Sequence, residues 1–427
     1  MWYKIIFKLG QKLRNPSLNQ QLQFLKTTEK WSLKELEAYQ LQQLKKLVNN
    51  AFNHTPYYKN KLESLGITPS MITSLADLNK IPIITKEELI TYNKELHSQQ
   101  KLKKYVKATT SGTTGSTLNF KREEQADSFN RAAIFRGYTW YQVQPWERNG
   151  YFWGYNFSMF SQLKTKFLDA LQNRFRLFKL QQQALQRFAK KLKKAHFLHG
   201  YSSLIYELAK YINTQQIEKP GLLKMVKGTS EKIYGTYQNE IEQAFGVKMI
   251  SEYGAAETGI IAFECPNGNM HITMEGVIVE EWNHEIVVTN LQMQSFPIIR
   301  YRLGDYIKLA PKSKKCACGM QHRIIEEVTG RVGALVYGIK ETYPSLYFYY
   351  IFKNLAKIHQ LLLTYQVHQI KKGALTFLIE QTLTADELSI LKNEIGNYFK
   401  NDIEITIKTA QTIIAENGKL KGFISTI

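Results

Sequence analysis

Residues 201–259 read YSSLIYELAKYINTQQIEKPGLLKMVKGTSEKIYGTYQNEIEQAFGVKMISEYGAAETG. Apolar residues recur at helical spacing over Tyr201–Ile212 and again over Tyr234–Phe245, and they run together over Leu222–Val226 and Val247–Ile250. Helix, strand, helix, strand in this order predicts an α/β domain with helices packed on sheets. The last strand runs straight into Ser251-Glu252-Tyr253-Gly254-Ala255-Ala256-Glu257-Thr258-Gly259. Open α/β sheets present their ligand sites at such strand ends.

Beyond Gly259 the pattern turns mostly β, with strands expected over Ile260–Phe263, Gly276–Glu281, Glu285–Thr289 and Tyr306–Leu309. Upstream, Trp31–Leu65 reads as helix broken at Thr55-Pro56. Leu75–Glu88 carries turn signals at Asp77 and Ile81-Pro82, and Val106–Phe120 runs strand, Gly/Thr loop, strand. Tyr151–Phe160 is an aromatic run with strand character, and Gln181–His196 is a basic helix. A boundary is expected at Thr329-Gly330-Arg331, dividing residues 1–330 from a small α+β unit, 331–427. That unit reads as helix Tyr347–Leu355, strands Gln360–Val367 and Ala374–Glu380, helix Ala385–Tyr398 and strand Ile403–Ile407.

Composition bounds the function. In 427 residues, 44% are hydrophobic and 22% charged, which suits a globular chain and excludes a disordered one. Lys plus Arg number 57 against 36 Asp plus Glu, a net +21, so anionic partners are favoured. The excess is mostly Lys, spread along the chain, and gives no specific nucleic-acid reader. Three cysteines exclude a disulfide scaffold and lead us to expect a cytoplasmic protein. Residues 1–16 lack a signal peptide's apolar run. Trp2, Ile5, Ile6, Leu9 and Leu13 follow helical spacing beside Lys4, Lys8 and Lys12. Such a helix suits either an anionic membrane surface, here the inner membrane, or packing on its own domain.

Five motifs carry chemistry. In Thr109-Thr110-Ser111-Gly112-Thr113-Thr114-Gly115-Ser116-Thr117, two glycines among hydroxyls let backbone N–H groups converge on an anion; otherwise it is a polar turn between strands. In the 251–259 segment, Tyr253 can stack on a base and Glu257 can hold magnesium on a triphosphate. In Arg300-Tyr301-Arg302-Leu303-Gly304-Asp305, the carboxylate can accept from two ribose hydroxyls at once. Gly330-Arg331 and Glu416-Asn417-Gly418-Lys419-Leu420-Lys421 complete the order.

With these motifs in this order, the sequence resembles the adenylate-forming superfamily of acyl-CoA synthetases and luciferase-like ligases. It is most similar to the phenylacetate–CoA ligase branch with its capsule-biosynthesis relatives. Ala51-Phe52-Asn53-His54-Thr55-Pro56-Tyr57-Tyr58, Ile81-Pro82-Ile83-Ile84-Thr85-Lys86 and Glu264-Cys265-Pro266 running on to Met270-His271-Ile272 carry the resemblance further. It implies a large adenylate-forming domain of α/β layers plus a β subdomain, and a small mobile C-terminal α+β domain. It implies ATP and magnesium as cofactors and a carboxylic acid as substrate, with transfer to coenzyme A or to an amine or sugar hydroxyl acceptor. A role in capsule or cell-surface polysaccharide synthesis would follow.

Residue by residue, the resemblance implies that Thr110, Ser111, Gly112, Thr113, Thr114 and Gly115 hold the ATP phosphates. Thr229, Ser230 and Glu231 would lie on one side of the adenine and Ser251, Glu252, Tyr253, Gly254 and Ala255 on the other. Glu257 would ligate magnesium, Asp305 the ribose, Arg331 ribose or phosphate, and Lys419 the α-phosphate. Two positions depart from the family's pattern, the first in the phosphate loop and the second at the hinge that serves the later step. Ser116 stands where the family commonly has Lys, and Val332-Gly333-Ala334 where acidic residues usually follow Gly-Arg. They also suit an alternative, a degenerate nucleotide- or precursor-binding scaffold of the same fold.

Cys316-Ala317-Cys318, with Cys265 and His271, forms either a closed structural zinc site or a set of plain thiols, with His322 as a substitute ligand. His196 and His199 are expected to cap a strand. Trp153, Tyr155, Phe157 and Phe160 are expected in an acyl pocket or in the core.

Overall fold

In the computed structural model, the 201–259 stretch is the middle of a large sheet. The structure describes residues 2–101, 104–110, 118–152, 159–177, 181–331, 335–399, 401–413 and 422–427. Among these, eleven strands pair in one sheet. Its parallel half runs Met249–Ala255, Met225–Thr229, Phe197–Tyr201, Asn149–Phe152 and Arg174–Arg176. Phe197–Tyr201 is buried along its whole length, as expected of a parallel strand covered on both faces. Helices Gln182–Leu192, Ser202–Thr214 and Gly235–Phe245 pack their apolar stripes on this half.

The antiparallel half begins where Met249–Ala255 turns back as Gly259–Glu264. It continues through Met270–Ile272, Ile324–Arg331, Tyr301–Leu309, Glu285–Asn290 and Val277–Trp282. The turn between the halves is tight. A Cβ on Gly254 would stand 2.4 Å from the carbonyl oxygen of Gly259, and Gly259 itself has φ 76°. The N-terminal helices cover the antiparallel half. Helix Leu33–His54 starts with a Ser32/Glu35 capping box, ends before Pro56, and buries Leu36, Leu44 and Leu47. Arg300 fastens this layer: it pairs with Glu280 at 2.9 Å and donates to the Ile81 carbonyl at 2.7 Å. Its role is therefore in the fold, although it opens the motif that ends in Asp305.

The described residues from 335 onward build a second core, with helices Leu346–Ile358 and Ala385–Phe399 on a four-stranded sheet ordered Glu404–Lys408, Ala374–Ile379, Tyr365–Gln369 and Phe423–Ser425. Lys353 to Glu327 (2.7 Å) and Tyr206 to Glu380 (3.1 Å) link this unit to the large sheet.

Some expected elements shift, among them strand Gln360–Val367, which becomes Tyr365–Gln369. Leu222–Val226 becomes Met225–Thr229, because the apolar run is continued by a buried lysine, Lys227. The aromatic strand is Asn149–Phe152 only, and helix Met159–Leu171 takes up its far end, since the same aromatics serve either period.

Candidate active site

A cleft of about 2280 Å³ opens between the ends of the parallel strands, the antiparallel half and the small unit. Five segments distant in sequence meet there. Strand Tyr105–Thr109 delivers Thr110, whose N–H donates to the Leu118 carbonyl at 2.9 Å while its hydroxyl accepts from the Leu118 N–H at 3.0 Å. These two bonds close the neck of the Gly/Thr loop. Ser111, Gly112, Thr113, Thr114 and Gly115 lie outside the described residues.

After strand Met225–Thr229 the chain turns sharply. Ser230 adopts φ 67°, a left-handed conformation uncommon for a residue with a side chain, and it lines the cleft. Glu231 is held by the Ser203 N–H at 2.8 Å. One strand over, Ser251, Glu252, Tyr253, Gly254 and Ala255 line the same wall. The Ser251 N–H is spent on Glu264 at 2.8 Å. The Glu252 carboxylate takes the Lys227 ammonium and the Thr229 hydroxyl (3.3 Å).

Tyr253 and Asp305 meet: the phenol donates to the carboxylate at 2.8 Å. Register sets Asp305 opposite Arg331 across the strand pair. The Arg331 side chain and all of Lys419 lie outside what the structure describes. Glu257 is buried at the cleft wall and accepts from the Tyr301 hydroxyl at 3.2 Å. The Asn290 amide steadies the turn by donating to the Thr258 carbonyl at 3.1 Å. A carboxylate with one oxygen on a neutral phenol keeps acceptor capacity for a hard cation, so Glu257 fits a magnesium ligand.

The deep end of the cleft holds residues that sequence reasoning missed. Lys227 is buried, with its ammonium 5.4 Å from the Tyr138 ring centroid. Burial opposes its charge, but Glu252 prevails and raises its pKa. His199 sits inside strand Phe197–Tyr201 rather than capping it. It stacks on Tyr151 at 4.4 Å, and the Arg174 guanidinium lies 4.5 Å from the same ring. Burial, with Arg174, Lys227 and Arg176 nearby, holds the His199 pKa well below 6.5. A lysine inside an apolar strand was the available signal. Of the aromatics expected here, Trp153, Tyr155 and Phe157 lie outside the described residues, as does the Phe160 side chain.

The arrangement can be compared with known proteins at this point. The chain superposes on 2-hydroxyisobutyryl-CoA ligase in its postadenylation state with a TM-score of 0.72, covering 93% of this chain and 90% of that one at 15% identity. The fold is that of the adenylate-forming superfamily. Sequence comparison finds relatives over parts of the chain. The chain is similar to protein CapK of Staphylococcus aureus, 24% identical over 297 residues, 64% of this chain and 63% of that protein. It is also similar to phenylacetate-coenzyme A ligase of Aromatoleum evansii, 40% identical over 65 residues, 15% of each chain. The matches thus span under two thirds of these relatives' lengths. No family model matches.

The cysteines gather on the antiparallel half of the sheet. Cys265 follows strand Gly259–Glu264, His271 lies in Met270–Ile272, and Cys316 and Cys318 lie in the loop before Ile324–Arg331. The Cys265 and Cys316 sulfurs are 3.6 Å apart, Cys318 Sγ and His271 Nε2 are 3.2 Å apart, and all four donors lie within 4.8 Å. Two thiolates on one tetrahedral zinc stand about 3.8 Å apart. His271 Nδ1 meets the His322 carbonyl at 3.1 Å, leaving Nε2 to face the sulfurs. The donor set fits zinc. His322 is not a substitute ligand: its Nε2 is on buried Glu275 at 2.9 Å, because that carboxylate, also paired with Arg136, is the stronger partner.

Proposed function

We propose that this chain is an ATP-dependent, AMP-forming carboxylate ligase. What supports the reading is the convergence, in one cleft of an adenylate-forming fold, of the Thr110 neck, the Ser230 turn, Glu257 and the Tyr253–Asp305 pair. In this reading, residues 110–115 hold the ATP phosphates, and the adenine lies between Thr229-Ser230-Glu231 and the Ser251–Ala255 wall. Asp305, oriented by Tyr253, accepts from the ribose hydroxyls, with Arg331 beside it. Glu257 holds magnesium, which when bound neutralises triphosphate charge. A substrate carboxylate oxygen bonds to the α-phosphorus and the bond to the β-phosphate oxygen breaks, giving acyl-AMP and pyrophosphate. Lys419, on the small unit 331–427, offsets the charge developing on the α-phosphate when that unit closes on domain 1–330.

The deep pocket of Tyr138, Tyr151, Arg174 and His199 receives the acid's tail. The acyl group then passes to coenzyme A or to an amine or sugar hydroxyl, in capsule or cell-surface polysaccharide synthesis. Cys265, His271, Cys316 and Cys318 hold a structural zinc that ties two β segments together. The chain works in the cytoplasm, with residues 1–16 touching the inner membrane surface; no described helix is long and apolar enough to cross a membrane.

The test is acid-dependent exchange of labelled pyrophosphate into ATP over aryl, fatty and amino acids. Exchange with one class of acid, abolished by Glu257→Gln and by Lys419→Ala, is the expected result. ATP binding without exchange on any acid would favour the scaffold reading.

A further inference from the structure

Helix Trp2–Arg14 buries none of its residues. Its inward side is Ile6, Phe7 and Gln11, all half-buried, with Phe7 resting 5.7 Å from the rings of Phe135 and Trp146. Away from that contact, Trp2, Ile5, Leu9 and Leu13 are exposed by 70%, 43%, 58% and 80%. At helical spacing these four fall in one stripe. Lys8 and Lys12, also exposed, run along its edge, and the helix contains no acidic residue.

Helix Met159–Leu171 lies against it. That helix leaves Leu163, Phe167 and Leu168 exposed by 63%, 65% and 44%, with Lys164 and Lys166 exposed among them. Its one acidic residue, Asp169, is buried and neutralised by Arg176 at 2.8 Å. Soluble surfaces scatter large exposed apolar side chains singly. Eight of them, Tyr3 at 40% included, lie on these two adjoining helices, and every exposed charged residue among them is a cation, which matches a bilayer interface: apolar residues enter the acyl boundary while lysines meet anionic headgroups. The cleft edge behind this face is cationic too, since Arg122 and Arg131 share Asp127 at 3.3 Å and Arg14 stands 4.0 Å from it. Phe7 and Arg14 of the same helix line the cleft.

We propose that the face formed by Trp2–Arg14 and Met159–Leu171 docks the protein on an anionic lipid bilayer, with the cleft mouth at the membrane surface. This deepens the membrane contact proposed for residues 1–16 by adding a second helix, and it does not depend on the ligase chemistry. A +21 chain would bind anionic lipid weakly through scattered lysines alone. The apolar positions are what distinguish a docking face from that background.

The experiment is co-sedimentation of the full chain with vesicles of phosphatidylcholine alone and of phosphatidylcholine mixed with phosphatidylglycerol. Binding to the mixed vesicles and not to phosphatidylcholine is expected. Leu9→Ser with Leu13→Ser should weaken it by about a hundredfold, at about tenfold for each large apolar side chain withdrawn from the interface. Leu163→Ser with Phe167→Ser should act to a similar degree, and each of Lys8→Gln and Lys12→Gln should cost about fivefold. Thermal melting of every variant in solution should match the wild type, which separates lost docking from lost folding. Binding unchanged in both serine pairs would overturn the proposal. So would concentration-dependent dimerisation abolished by those pairs without vesicle binding, which would make the face a contact between copies of this chain.

Discussion

Replacing Glu275 by leucine tests the buried charge cluster that ties the N-terminal layer to the sheet. Glu275 is fully buried, and its Oε1 accepts from Arg136 at 2.7 Å, from His322 at 2.9 Å and from the Thr28 hydroxyl. Those partners come from helix Leu18–Thr28, helix Glu124–Trp140 and the loop before Ile324–Arg331. Charge centres near 4 Å attract by about 4 kcal/mol at an effective dielectric of about 20, against a desolvation cost of several kcal/mol per ion. The pair therefore contributes little net stability, but removing one member leaves Arg136, 3% exposed, buried without a counter-charge.

Glu275→Leu should accordingly cost about 3–5 kcal/mol, and Arg136→Met combined with it should recover most of that loss. Urea midpoints read by tryptophan fluorescence provide the assay, because the Arg136 guanidinium lies 5.7 Å from the Trp140 ring. Burial alone would raise the Glu275 pKa, but Arg136 and His322 prevail and hold it well below the usual carboxylate range. With the folded value depressed, the stabilisation is present above the unfolded value of about 4.5 and is lost as pH falls through the folded one. The wild type should then lose more stability in acid than the double variant. A cost under about 1 kcal/mol for Glu275→Leu, or a double variant no more stable than the single, would refute the reasoning.

Three further outcomes follow from the site. Asp305→Asn should raise the KM for ATP in the exchange assay by about ten- to a hundredfold through weakened charge-assisted bonds to ribose, with Tyr253→Phe smaller in effect; an unchanged KM would remove Asp305 from the nucleotide site. His199 stays neutral in the fold, so below pH 6.5 the unfolded chain binds a proton that the folded chain refuses. That component of stability should fall by about 1.4 kcal/mol per pH unit as pH drops, and His199→Gln should flatten the slope in urea titrations. Purified protein should carry one zinc by elemental analysis. Cys316→Ser should release it and lower the melting temperature, as a chelator should in the wild type; equal melting with and without chelator would argue for plain thiols.

Much of the fold was legible from periodicity. The helix–strand alternation of 201–259 and the break at Pro56 both correspond to observed elements. Misreadings had non-local causes. Lys227 ended the apolar run of its strand early because its charge is compensated by Glu252 on the neighbouring strand, which sequence order hides. His322 had metal-ligand spacing, but Glu275, 47 positions away, holds its ring. The cleft wall of Tyr151, Arg174 and His199 carried no motif, since parallel strands bring these residues together from three separate segments.

By itself the sequence determined the elements, the order of the motifs and the chemistry each could offer, because backbone period and side-chain type are local properties. Which side chains meet was decided only in the tertiary structure. A strand's period states which face a residue occupies, not which strand lies beside it. The sheet order sets Ile324–Arg331 between Tyr301–Leu309 and Met270–Ile272. The turn at Gly254 and Gly259 folds the chain back on itself. Only then does Tyr253 reach Asp305, 52 positions on, and Glu257 reach Tyr301, 44 positions on.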